Sequence, residues 1–289
     1  MKNNIISNAD KALILNQALP HIQKYQGKTI IVKYGGSVME NNELKKLVMS
    51  DIALLSTLGI KVVVVHGGGK DITQMLSRIG IESKFINGLR YTDKDTAEIV
   101  RMVLAGKVNK ELVDILNTCG GRSLGICGID GRMFKVKKYS GDTDLGFVGD
   151  IEYVDTHLIE TIIQNKYTPI IATVGCDNEG NVYNINADTA AAKIAEDLKA
   201  ETLMFMTDTP GLLKDKYDET TLISKIKVSE LDELLNNEVI ISAGMIPKIK
   251  HCINAVNNGV NRVFIMDGRV QHSILIQMFT DAGIGTMFY

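Results

Sequence analysis

Short apolar runs rich in β-branched residues recur along the chain: TIIVKY, KVVVVH, TPIIATV, ETLMFMT and NRVFIMD, each followed by an amphipathic or alanine-rich stretch. Strand-sized runs alternating with helical periodicity predict an α/β fold, a mainly parallel sheet with helices on both faces. KVVVVH is apolar without alternation, which a strand needs only when both faces are covered, so such runs belong in the middle of the sheet. One region departs from this rhythm. GICGIDGRMFKVKKYSGDTDLGFVGDIEYVD has Gly-Asp punctuation and alternating apolar positions, which predicts an inserted antiparallel hairpin able to act as a lid.

Ahead of the first strand, roughly residues 8 to 26, Ala12, Leu15, Leu19 and Ile22 fall at helical spacing, and Pro20 inside the pattern predicts a bend. The apolar stripe of this extra N-terminal helix wants cover, either from its own domain or from another subunit. No linker or low-complexity tract marks a domain boundary. Element order places one near residue 200, between ADTAAAKIAEDLKA and ETLMFMT, giving an extension at 1–26 and lobes at 27–200 and 201–289.

Composition narrows the function classes. A chain of 289 residues can bury a substantial core, and 32 basic against 34 acidic residues create no field that would draw nucleic acid or an anionic membrane. Any anion must be held locally. The four cysteines, Cys119, Cys127, Cys176 and Cys252, form no C-x-x-C pair, which fits a reduced cytoplasm and neither a zinc site nor a disulfide framework. No run reaches the ~18 apolar residues of a membrane span, and the N-terminus lacks a secretory h-region. The five histidines show no metal-ligand spacing, and the twelve methionines read as core filling.

Candidate chemistry gathers at strand ends. Lys33-Tyr34-Gly35-Gly36-Ser37 and His66-Gly67-Gly68-Gly69-Lys70 each join a strand to a helical stretch, at the sheet edge where open α/β folds bind ligands. Glycines let an anion approach backbone N–H groups, and a following helix start adds partial positive charge. Neither loop is a Walker A or a G-x-G-x-x-G, and as plain βα turns they would need no ligand. Lys33, a cation ending an apolar strand, must be paired or meet a ligand. Lys248, after Gly244-Met245-Ile246-Pro247, falls in the first turn of a helix, a poor place for a lysine unless an anion binds there. Asp188 opens the alanine-rich helix and could pair with either lysine or serve only the helix start.

A hydrolase reading also has motifs: Gly121-Arg122-Ser123-Leu124-Gly125 fits G-x-S-x-G, and His66 to Gly69 fits an oxyanion-hole motif. Here, however, a helical stretch precedes Ser123 and a strand-like LGIC follows, the reverse of a nucleophile elbow. A non-catalytic metabolite sensor would be favoured by loss of either lysine, and both are present.

In order along the chain, KYGGS, VVVVHGGG, NGLRYT, NINADTAA, TDTPGLL, GMIPK and DAGIGTM resemble the amino-acid kinase family from Lys28 to Tyr289. NGLRYT, NINAD and GMIPK point to its acetylglutamate branch. The resemblance implies an αβα sandwich whose N-terminal lobe binds N-acetyl-L-glutamate and whose C-terminal lobe binds ATP, with Mg2+ carried on the nucleotide. It implies that Lys33 and Lys248 stabilise the transferring phosphoryl group and that Asp188 orients both. Gly36, Gly68, Gly69, Arg90 and Asn184 would serve the acceptor; Thr207, Asp208, Gly211, Leu212, Gly244 and Met245 would serve the nucleotide. It implies a homo-oligomer, a dimer or a trimer of dimers joined through the N-terminal helix. Arginine-inhibited members are similar near the C-terminus but typically carry histidine where this chain has Phe264 and glutamate where it has Gln277, so weak inhibition by arginine, or none, is expected.

Overall fold

The computed structural model describes residues 7–39, 41–86, 88–215, 217–231, 245–281 and 283–289. Among them, the five apolar runs become β1 (Thr29–Tyr34), β2 (Lys61–His66), β8 (Thr168–Ala172), β11 (Thr202–Thr207) and β13 (Arg262–Asp267). These five pair in parallel within one sheet of order β12-β14-β13-β11-β1-β2-β8-β5, extended by β5 (Ser123–Cys127), β12 (Lys225–Ile226) and β14 (Gly285–Phe288). Only β14 runs against its neighbour β13.

Alternate residues of each strand feed two cores, as a doubly covered sheet requires. Ile31, Val63, Ile171, Leu203 and Val263 face α6 (His157–Gln164), α7 (Ala187–Asp197) and α8 (Met245–Asn257). Ile30, Val62, Ile170, Met204 and Phe264 face α2 (Asn42–Thr57), α3 (Gly69–Arg78), α5 (Asn109–Thr118) and α9 (Ser273–Phe279). The result is the expected αβα sandwich. Residue 200 falls between α7 and β11, and the sheet runs on across it because β11 lies directly beside β1.

The inserted segment is more than a hairpin. Its opening LGIC belongs to β5 of the main sheet, while β6 (Phe134–Lys138) and β7 (Val148–Val154) pair antiparallel. They close with β9 (Val174–Cys176) and β10 (Val182–Ile185) into a four-stranded barrel. Phe134, Val136, Ile151 and Val154 are buried in the core that the sheet shares, which ties the insert to the sandwich.

Helix α1 (Asn8–Tyr25) runs on through Pro20, with Ser7 Oγ accepting the Asp10 N–H at 3.1 Å as its cap. Only its last turns rest on the domain: Tyr25 is buried, and His21 lies 3.6 Å from Asp281 beyond α9. Leu13, Ile14, Leu15 and Leu19 remain exposed. No described helix is long and apolar enough to cross a membrane.

Candidate functional site

Parallel pairing brings the carboxyl ends of β1, β2, β8 and β11 to one edge, and a cavity of about 430 Å³ opens there. Lys33, Gly36, Gly68, Gly69, Arg90 and Asn184 line it, and Asp208 reaches it from beyond β11. Sequence reasoning had drawn these residues from five separate motifs.

Three charged groups meet beside Lys33. The Lys33 ammonium lies 2.9 Å from Asp188 Oδ1, and the Lys248 ammonium donates to Asp188 Oδ2 at 2.5 Å. Burial alone would raise the Asp188 carboxyl. The two ammonium groups outweigh it and hold the acid well below the usual carboxylate range. Two cations against one anion leave a net positive charge in a mostly buried place, a situation that an incoming anion relieves. Local structure fixes each partner. Asn186 caps α7, its Oδ1 accepting the N–H groups of Asp188 (2.9 Å) and Thr189 (3.1 Å), so Asp188 is locked in the first turn. Lys33 folds over Gly35, where a Cβ would stand 2.7 Å from its Nζ.

The second glycine loop is set from behind. His66 is fully buried and burial pushes its pKa down to about 4, so the ring is neutral. Its Nδ1 pairs with the Gly67 carbonyl at 2.8 Å, which leaves Nε2 to accept from Asn109 Nδ2 at 3.1 Å. Asn109 also donates to the Ile170 carbonyl, tying loop, helix and strand together. A π-helix over Met102–Val108, between α4 (Lys94–Arg101) and α5, presses Leu104 and Val108 onto Gly68. A Cβ at Gly68 would stand 2.7 Å from Leu104 Cδ2, so any larger residue would push that methyl aside. No side chain caps α3, which begins at Gly69 beside the cavity, and an uncapped helix start suits an anion.

Arg90 also lines the cavity, 6 % exposed. Nη1 donates to Ser83 Oγ at 2.7 Å, and Nη2 donates to the Gly69 carbonyl at 2.7 Å and to Thr73 Oγ1 at 2.8 Å. The Phe85 ring covers it at 4.7 Å. These partners are all neutral, so the guanidinium meets no carboxylate among the described residues. Asn184 Nδ2 donates to Thr92 Oγ1 at 3.3 Å.

The residues expected beside the nucleotide are more dispersed. Asp208 lines the cavity; Thr207 is buried behind it and donates its hydroxyl to Asp208 Oδ1 at 3.3 Å. Gly211 and Leu212 lie against β14, the Leu212 N–H donating to Thr286 Oγ1 at 2.8 Å. Met245 is buried at the described start of α8, and Gly244 lies outside the described residues. Ser123 begins β5, buried, and donates to Asn117 Oδ1 at 3.0 Å, so the G-x-S-x-G match is a structural strand start. Sequence reasoning missed Asn186, whose signal was an amide residue just before an alanine-rich helix, and Leu104 and Thr173 in the cavity wall, which carried none.

The amino acid kinase family profile matches residues 28–267. Over 284 residues, 98 % of both chains, the sequence is 74 % identical to an acetylglutamate kinase of Brachyspira hyodysenteriae. It is 53 % identical over 280 residues, 97 % of both chains, to an acetylglutamate kinase of Clostridioides difficile. Among solved structures, N-acetylglutamate synthase from Neisseria gonorrhoeae, complexed with coenzyme A and N-acetyl-glutamate, is similar with a TM-score of 0.83 at 25 % identity. That match covers 96 % of this chain and 63 % of the synthase. Carbamate kinase from Giardia lamblia bound to AMP-PNP shares the fold, with a TM-score of 0.65 at 17 % identity over 91 % of this chain and 98 % of that one.

Proposed function

The chain belongs to the amino acid kinase family, and from that membership we infer an enzyme that phosphorylates the side-chain carboxylate of N-acetyl-L-glutamate with ATP. The products are N-acetylglutamyl 5-phosphate and ADP, in an early step of arginine biosynthesis. The observation that carries this reading is a cavity lined by two buried cations, Arg90 and Lys33, the latter sharing the Asp188 carboxylate with Lys248. A dicarboxylate whose amine is acylated suits that pattern.

In the proposed mechanism, the planar fork of Arg90 holds the α-carboxylate, with Asn184 beside it. The side-chain carboxylate is already ionised at neutral pH, so it attacks without a general base. Its oxygen forms a bond to the γ-phosphorus as the bond to the β–γ bridging oxygen breaks, and ADP leaves with that electron pair. Bringing two anions together is the main obstacle, and positioning with charge neutralisation is what such a transfer needs. Lys33 and Lys248 carry the positive charge, and Asp188 holds both ammonium groups in register. Glycines 36, 68 and 69 leave backbone room for phosphoryl oxygens. Asp208, Thr207, Gly211, Leu212, Gly244 and Met245 are assigned to the nucleotide side. Magnesium retains most of its waters and binds largely through phosphates, so it would arrive on ATP and offset phosphate charge without a cage of protein carboxylates. The exposed apolar stripe of α1 is assigned to a contact between copies of the chain.

ADP release measured with N-acetylglutamate, glutamate, aspartate and carbamate as competing acceptors tests the reading. Turnover should be confined to the acetylated dicarboxylate, and faster turnover of any other acceptor would refute it.

A further inference from the structure

Thr173 sits in the cavity wall with a hydroxyl that no described residue uses. The residue is 1 % exposed and lines the cavity, and its Oγ1 has no hydrogen-bond partner among the described residues. A buried hydroxyl that has left water without gaining a partner is a standing cost, and native proteins keep few of them. Two other buried hydroxyls, those of Thr202 and Ser273, are also unpartnered, but neither residue lines the cavity.

The backbone around Thr173 is fixed. It follows β8, where Ala172 pairs with His66 of β2, and its carbonyl accepts the Ile185 N–H at 3.1 Å. It is thereby held level with Gly67, between the glycine loop and the start of α7. The loop has a direction: a Cβ at Gly67 would stand 3.4 Å from Ala187, next to Asp188, whereas the Gly69 carbonyl accepts from Arg90. Thr173 stands at the Asp188 end of that run.

We propose that Thr173 is a substrate-binding residue that donates its hydroxyl hydrogen to an oxygen of the acceptor's reacting carboxylate. This rests on the function inferred above and deepens it. The donated bond would orient one carboxylate oxygen while the other faces the γ-phosphorus, and it would supply the partner that the hydroxyl lacks in the ligand-free chain. Discrimination follows from the same geometry, because a hydroxyl placed for an anionic oxygen would stay orphaned beside an acceptor without one.

Thr173→Val keeps the shape and removes the hydroxyl; Thr173→Ser keeps the hydroxyl. The valine variant should raise the KM for N-acetylglutamate tenfold or more and leave the KM for ATP within twofold of the parent. Its ligand-free melting temperature should equal or exceed the parent's, because an unsatisfied polar group has been replaced by a methyl. The serine variant should stay within about threefold of the parent in all three readings. An unchanged KM for N-acetylglutamate in the valine variant overturns the contact. So does a valine variant that melts below the parent or fails to fold, since the hydroxyl would then be serving the structure. Parent enzyme assayed alongside separates the two levels. No ADP release from N-acetylglutamate by the parent would strike the inferred function and this contact together, whereas normal parental turnover with an indifferent valine variant strikes the contact alone.

Discussion

Lys33 and Lys248 find their counter-charge inside the chain, on one carboxylate, whereas Leu13, Ile14, Leu15 and Leu19 of α1 find no cover among the described residues. The first group lies where strands and helix starts converge, so the sheet that positions the lysines also supplies Asp188. The second group lies on a helix that touches its domain only through its last turns. One region pairs its charges within a single copy, and the other presents an apolar face that water disfavours. The difference separates chemistry from assembly: phosphoryl transfer should depend on the first region and survive loss of the second.

The sharpest way to break that division is to remove a cation from the cluster. Lys33→Ala and Lys248→Ala should each lower kcat by on the order of 10²-fold or more, with smaller changes in substrate KM, because the lost charge acts mainly in the transition state. Near-parental kcat in either variant would remove the lysines from the mechanism. A milder change is Arg90→Lys, which keeps the charge and loses the fork that now spans Ser83, Gly69 and Thr73. The KM for N-acetylglutamate should rise by roughly tenfold while that for ATP barely moves; equal rises in both would place Arg90 elsewhere.

Arginine sensitivity probes the border between the two regions. Phe264 is buried in β13 and offers no polar group, and Gln277 on α9 uses its Oε1 to accept the Ile284 N–H at 2.9 Å. A carboxylate binds a cation through bonds of about 1.5–3 kcal/mol against about 0.5–1.5 for a neutral amide. At about 1.4 kcal/mol per factor of ten, Gln277→Glu should tighten any arginine inhibition by up to about tenfold. Half-inhibition of the parent at low micromolar arginine would contradict the expectation of weak inhibition. The smallest effect on turnover is expected from deleting residues 1–19, which spares buried Tyr25. Light scattering should report a smaller particle with kcat within about twofold of the parent. An unchanged mass would mean that α1 serves its own subunit.

The middle of the sheet was legible because strands covered on both faces read as unbroken apolar runs, and β1, β2, β8, β11 and β13 all did. Its edges were not: β12 has only two residues, and β14 runs through Gly285 and Thr286 with little apolar signal. The barrel read as a single hairpin because β9 and β10 are too short to show alternation. Lys33, Asp188 and Lys248 stood out because a charge at a strand end or a helix start needs a reason. Thr173 could not stand out, since threonine is an ordinary strand residue and only the missing partner of its hydroxyl sets it apart. Gly68 was legible as a loop glycine, but the cause of its smallness, Leu104 on an irregular helix, follows no sequence period.

The order of strands also has a bearing on how the chain reaches its native state. β1, made early, pairs on one side with β2 and on the other with β11, which begins at residue 202. Pairings so distant in sequence close slowly, because the intervening chain must surrender its freedom before the contact repays it. Lys33, Asp188 and Lys248 lie on elements spread from β1 to α8, so the charge cluster assembles only once α8 has docked. Until then β1 keeps a bare apolar edge, and protection of that edge during synthesis, more than stability of the finished sheet, should govern how much working enzyme a cell obtains.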